Sequence, residues 1–275
     1  MGKEQLNVGK IKRLKSRNPV IDFDKLRLYF REPYVIDLEG VDGKITLTQP
    51  SIGDIVELGE KRFYATLNAF ITNTTSFRLQ LWEQNIDWNN ISDFELFMML
   101  ISTAEKDVYQ VFLPDIDLSK FGIFQKQLPD SEEKIKVLYD VENKIEINEQ
   151  VYFHMSQYLR TVFNIFPEEK MTSDATMKRW FIEKDKRELR NKEAKKDNGG
   201  DDDSSLLPII SGCVNHPGFK YKPSDLKELG VFAFYDSVKR LQVYESTTAL
   251  QKGMMSGFVD GSKIKPEDYN FMKSI

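Results

Sequence analysis

The chain has 275 residues, 40% hydrophobic, 12% aromatic and 30% charged, with a formal net charge of −4. That apolar share suffices for a packed core of one or two domains and excludes a chain that is disordered throughout. The net acidity argues against a surface given over to nucleic acid, and one cysteine, Cys213, excludes an internal disulfide framework. No apolar run approaches the ~20 residues of a membrane span, and the start, Met1-Gly2-Lys3-Glu4-Gln5, reads as neither a secretory leader nor a myristoylation signal.

Residues 1–18 form a basic N-terminal arm, with Lys3, Lys10, Lys12, Arg13, Lys15 and Arg17 against the single acid Glu4. Such an arm is either simply solvated or docks on an acidic partner or nucleic acid. A mixed α/β body is expected over 19–166. Its first hairpin pairs Tyr34–Leu38 with Lys44–Thr48 across Gly40-Val41-Asp42-Gly43. Ser51, with Asp54 three residues on, starts a long helical pattern that Gly53 and Gly59 weaken. A second helix is expected after Thr74-Thr75-Ser76. A third begins at Ser92-Asp93-Phe94-Glu95, which fits a capping box, and runs to about Thr103.

Tyr109–Leu113 reads as a strand, and Lys136–Tyr139 with Lys144–Ile147 as a second hairpin. Asn148 caps a helix to about Phe163, with Val151, Met155, Tyr158, Leu159 and Val162 on one face; Pro167 ends that segment. Residues 167–196 hold a charged helix, capped by Thr172 or Ser173, with a sparse stripe of Met177, Trp180, Phe181 and Leu189. Pairs such as Glu188 with Lys192 can sustain it. Trp180 is either an anchor on the body or a contact for a partner. An acidic linker is expected over 197–205, then a separate helical C-terminal unit over 206–275. In that unit one helix starts at Pro223 or Ser224, another spans about Val231 to Leu250, and a last one starts at Pro266; Gly253, Gly257 and Gly261 mark turns. The fold class is therefore α+β, helix-dominated, with small β-hairpins.

Candidate chemistry is sparse. His154 sits within a helix and His216 in a turn, and both read as structural side chains. Cys213 and His216 have half of a zinc-site spacing without a second half. The pairs Asp22/Asp24 and Asp115/Asp117 suit turns and caps; a metal-dependent site at the latter is the weaker alternative. No phosphate-binding glycine loop is present in the sequence. No enzyme activity, cofactor or metal is expected.

Two stretches resemble a phage family. The first is Gln49 to Glu60 (QPSIGDIVELGE), with Phe77 to Trp82 (FRLQLW) and Asp87 to Phe97 (DWNNISDFELF). The second is Asn215 to Tyr221 (NHPGFKY), followed by Phe234 to Gln242 (FYDSVKRLQ). Together they are similar to proteins of the tail modules of tailed phages infecting Gram-positive bacteria. The C-terminal piece also resembles the baseplate hub and tail assembly chaperone group. The resemblance covers about half the chain and consists of packing and turn patterns.

It implies a non-enzymatic assembly factor or structural component of a tail or baseplate. Its partners would be other tail or baseplate proteins or a second copy of itself, with neither membrane nor nucleic acid as main partner. It would work in the host cytoplasm or as part of the virion. The resemblance carries no functional residue across; from the pattern of the chain itself the contact residues expected are Trp180, Phe181, Arg187, Phe219, Tyr221 and Tyr235. The alternative is a nucleic-acid-associated packaging or regulatory factor that uses the basic arm.

Overall fold

The computed structural model describes residues 21–127, 134–197 and 204–273. The basic arm and most of the acidic linker lie outside them. Among the described residues helices take 55%, beside two small antiparallel sheets, which makes a helix-dominated α+β fold.

Asp24 opens the first helix, α1 (Lys25–Tyr29), by accepting hydrogen bonds from the amides of Leu26 and Arg27. The first hairpin forms as expected, β1 (Tyr34–Ile36) against β2 (Ile45–Leu47), with Val35 opposite Thr46. Ser51 then caps α2 (Ile52–Leu58) in a reciprocal capping box with Asp54, an arrangement that stabilises a helix by ~1 kcal/mol. The long helix expected here is in fact two, because Gly59 adopts φ +86° and turns the chain into α3 (Glu60–Ile71). A side chain rarely tolerates that backbone region. Next come α4 (Arg78–Glu83) and α5 (Asp93–Leu100), the latter capped by the Ser92–Glu95 box.

The strand expected at Tyr109–Leu113 is instead the end of a short helix, α6 (Lys106–Tyr109), and the turn after it. Val108, Tyr109, Phe112 and Leu113 are all buried. Their one- and four-residue spacing wraps a helical turn onto the core. The second sheet has one strand more than the sequence indicated: β3 (Phe121–Gln127) pairs with β4 (Lys134–Asp140), which pairs with β5 (Ile145–Ile147). Asn148 caps α7 (Glu149–Phe163), and Asn164 closes it in the left-handed conformation.

After α7 the chain runs as an extended strap whose carbonyls are held by side chains of the body. Asn73 donates to the Glu168 carbonyl at 3.0 Å, Trp88 Nε1 to the Lys170 carbonyl at 3.3 Å, and Asn89 to the Thr172 carbonyl at 2.9 Å. The strap delivers the charged helix α8 (Ala175–Asp197), whose first turn Asp174 caps in place of the expected Thr172 or Ser173. The C-terminal unit comprises α9 (Leu206–Val214), α10 (Pro223–Glu228) and α11 (Val231–Met255), followed by two short 3-10 turns.

One large core joins body and C-terminal unit. Phe63, Phe70, Phe97, Phe112, Tyr158 and Phe163 belong to it, and so do Leu206, Leu226, Val231 and Phe234. The seam is stitched by backbone. Ile52 donates to the Leu229 carbonyl at 3.0 Å and Val231 to the Pro50 carbonyl at 3.1 Å. Buried Gln49 accepts from the Phe232 amide and donates to the Leu28 carbonyl, each at 3.0 Å. A second, smaller core gathers Leu79, Leu81, Trp88, Leu96 and Ile182 beneath α8.

Candidate functional site

The charged helix α8 has two faces with different physics. Lys178, Phe181, Ile182 and Asp185 recur at three- and four-residue spacing and so share one face. Ile182 is buried in the small core with Phe181 beside it. Arg78 lies over the Phe181 ring at 4.8 Å, and Lys178 pairs with Asp87. The opposite face carries Trp180, which is 51% exposed, with the exposed Arg187 two turns on. Of the two roles open to Trp180, that of body anchor therefore falls to Phe181. Ion pairs along the helix are Lys184 with Glu188 at 3.7 Å and Lys186 with Glu183 at 3.8 Å.

The other three expected contact residues face the seam. The Tyr221 hydroxyl lies 3.3 Å from that of Tyr29, and the Tyr235 hydroxyl 3.2 Å from that of Tyr64. Tyr64 is pushed well above the ordinary phenol value, chiefly by burial. Tyr29 is pushed up to about 12, first by its hydrogen bond to Tyr221 and then by burial. Phe219 packs half-buried against the main core and stacks edge-on with Tyr221, their centroids 5.6 Å apart. These side chains fasten the C-terminal unit to the body, and Tyr235 reaches an open groove between α1, the end of α7 and α11.

That groove holds about 600 Å³ and is mainly apolar. Its rim carries Leu26, Phe30 and Phe166, which are 66%, 68% and 60% exposed. None of the three was picked out from sequence. The only available sign was an apolar pair at four-residue spacing in α1, which a four-residue pattern is too short to establish.

His154, His216 and Asp117 each have local partners. His216 Nδ1 accepts from the Gly218 amide at 3.0 Å, and its Nε2 lies 3.2 Å from Glu245. His154 Nδ1 lies 2.7 Å from the Tyr34 hydroxyl. Asp117 pairs with Lys106 at 2.6 Å and caps a 3-10 turn through Ser119; its carboxyl is held low, at about 2, by those two side chains. Cys213 is buried, and burial pushes its thiol up. Among the described residues no group of three or more His, Cys, Asp or Glu side chains is placed to hold a metal ion. Among them, too, no helix is long and apolar enough to cross a membrane.

Geometry and fold together define a helical α+β chain whose surface offers an aromatic-rimmed groove and a basic, tryptophan-bearing helix face. Residues 194–275 match the family model described as the YomV second domain. That family is Bacillus phage-derived, so the likeness points to a phage-related protein. No curated protein and no solved structure matches the chain.

Proposed function

We propose that this chain is a phage assembly factor or a structural component of the tail or baseplate, acting through protein–protein contacts. The observation that carries the reading is the likeness of residues 194–275 to a phage-derived domain, here continuous in its packing with the larger body. A domain fastened in this way presents fixed surfaces, which is what an assembly contact requires. The exposed aromatic side chains Phe30, Phe166 and Trp180 supply the kind of residue in which interface energy concentrates. The partners are other tail or baseplate proteins, met in the host cytoplasm or within the virion.

The test is made in cells producing the phage. The full chain should co-purify with tail or baseplate proteins, and deletion of its gene should leave particles without complete tails. A lone monomer throughout infection, together with infectious particles after deletion, would sink the reading.

A second reading, contact with nucleic acid, draws on the outward cations of α8 beside Trp180 and on the basic arm. It requires affinity for DNA or RNA that falls steeply with salt. Binding that is absent at low salt removes it.

A further inference from the structure

We infer that the groove between α1, the end of α7 and α11 is the seat of an amphipathic acidic segment of a partner protein. The inference rests on the contact-protein reading and names the partner's chemistry.

The first observation is the rim. Leu26 and Phe30 lie four residues apart and project from α1, while Phe166 faces them from the chain after α7. Three large apolar side chains, each more than half exposed around one depression, mark a binding surface rather than scattered surface hydrophobes. The floor is supplied by Phe232 and Tyr235, both already half-buried and fixed by the seam. An apolar groove with a set floor suits a helix that lays in an apolar stripe at three- and four-residue spacing.

The second observation is charge. Lys239 and Arg240 line the groove against one acid, Asp236. Lys239 donates to the neutral Asn164 side chain at 2.7 Å, and Arg240 to the carbonyls of Phe271 and Lys273 at 3.2 and 2.6 Å. Neither Lys239 nor Arg240 has a carboxylate within ion-pair distance among the described residues. The rim therefore attracts an acidic polar face and repels a basic one. This also speaks against the chain's own arm as occupant, since residues 1–18 carry six cations and one acid.

The test uses the full-length chain and two fluorescein-labelled synthetic helices of about 15 residues. Both carry the same leucine stripe; one has glutamates on its polar face, the other lysines. The acidic helix should bind at least ten times tighter by anisotropy, with the gap closing as salt rises. Leu26→Ala and Phe30→Ala, both at exposed positions, should each weaken it about ten-fold with unchanged thermal unfolding. Lys239→Glu should narrow the preference for the acidic helix.

Several results overturn the inference: no binding of either helix, equal binding of both, or wild-type affinity in the Phe30 variant. So do a dimer in sedimentation that Phe30→Ala disperses, which makes the occupant a second copy, and a ten-fold gain in affinity on deleting residues 1–20, which makes it the arm. Peptide binding reads the groove alone and particle association reads the phage role, so either can fail while the other stands.

Discussion

Arg78 grips Asp185 through two parallel hydrogen bonds, Nε to Oδ2 and Nη2 to Oδ1, each 2.5 Å long, across 107 positions of sequence. The two side chains are only 11% and 19% exposed, so this pair is screened little by solvent. With Lys178–Asp87 it supplies the polar part of the clamp that holds α8 on the body; Ile182 and Phe181 supply the apolar part.

Breaking one side of that clamp leaves an uncompensated, largely buried charge. Asp185→Ala should lower stability by roughly 3 kcal/mol and speed amide exchange along α8. The double variant Arg78→Met with Asp185→Leu should recover most of the loss, because both charges are then gone. Trp180→Ala, on the outer face, should change stability by less than about 0.5 kcal/mol. Urea unfolding of the four proteins decides. A double variant as unstable as Asp185→Ala would rule out the charge argument.

Glu60 tests how the end of the acidic linker is held. Its carboxylate accepts from the Ser204 and Ser205 hydroxyls, from the Ser205 amide at 2.8 Å and from the Leu206 amide at 3.1 Å. Burial draws the carboxyl upward, but those four bonds outweigh it and leave it below the ordinary value. A depressed folded value means that the contribution is present above the unfolded value and lost as pH falls through the folded one. Amides at the start of α9 should therefore lose protection, measured against their intrinsic exchange rate at each pH, as the pH drops below about 4.5, the ordinary glutamate value. Glu60→Gln should show the lowered protection already at neutral pH. Equal protection in variant and wild type would show that Glu60 does not fasten this helix.

Local signals were legible in the sequence and long-range ones were not. The Ser51–Asp54 and Ser92–Glu95 caps and the Asn148 cap need only three or four residues to recognise, and all three occur. The 34–47 hairpin announces itself by its Gly-Val-Asp-Gly turn. Tyr109–Leu113 misled because five residues with Gln110 as their one polar side chain are too few to show a period, so strand and helical turn look alike. The groove rim was invisible because Leu26, Phe30 and Phe166 meet only after α1 and the end of α7 come together. For the same reason sequence could assign Tyr221 and Tyr235 to a contact surface but could not indicate that their hydroxyls would be spent on Tyr29 and Tyr64.

Two glycines separate close packing from conformational need. A Cβ on Gly53 would sit 2.6 Å from the Lys227 carbonyl oxygen, where α2 meets α10 backbone to backbone. Gly53→Ala must push the helices apart and should cost about 2 kcal/mol. Gly212, within α9, has nothing within 4 Å of such an atom. Gly212→Ala should stabilise the protein by up to about 1 kcal/mol through helix propensity. Thermal melts of the two variants should move in opposite directions; a harmless Gly53→Ala would contradict the close approach of α10.

The tyrosine pairs that fasten the C-terminal unit make its attachment sensitive to alkali. Tyr29 has a folded value of about 12 against an ordinary 10, and burial raises Tyr64 as well. For each, the neutral phenol is favoured in the folded chain, so the unfolded state gives up its protons first as pH rises. Stability is then whole below pH ~10 and declines between roughly 10 and 12. The decline has a location, because both pairs lie across the same seam: Tyr29 and Tyr64 belong to the body, Tyr221 and Tyr235 to the C-terminal unit. A Tyr29→Phe, Tyr64→Phe double variant should start somewhat less stable, having lost two hydroxyl contacts, and should then lose less between pH 9 and pH 11 than wild type. Urea unfolding at those two values measures the difference, with other alkaline effects common to both proteins. Parallel losses would mean that the phenols do not couple seam stability to pH, and leave the attachment to the backbone bonds of Ile52 and Val231, to Gln49 and to the shared core.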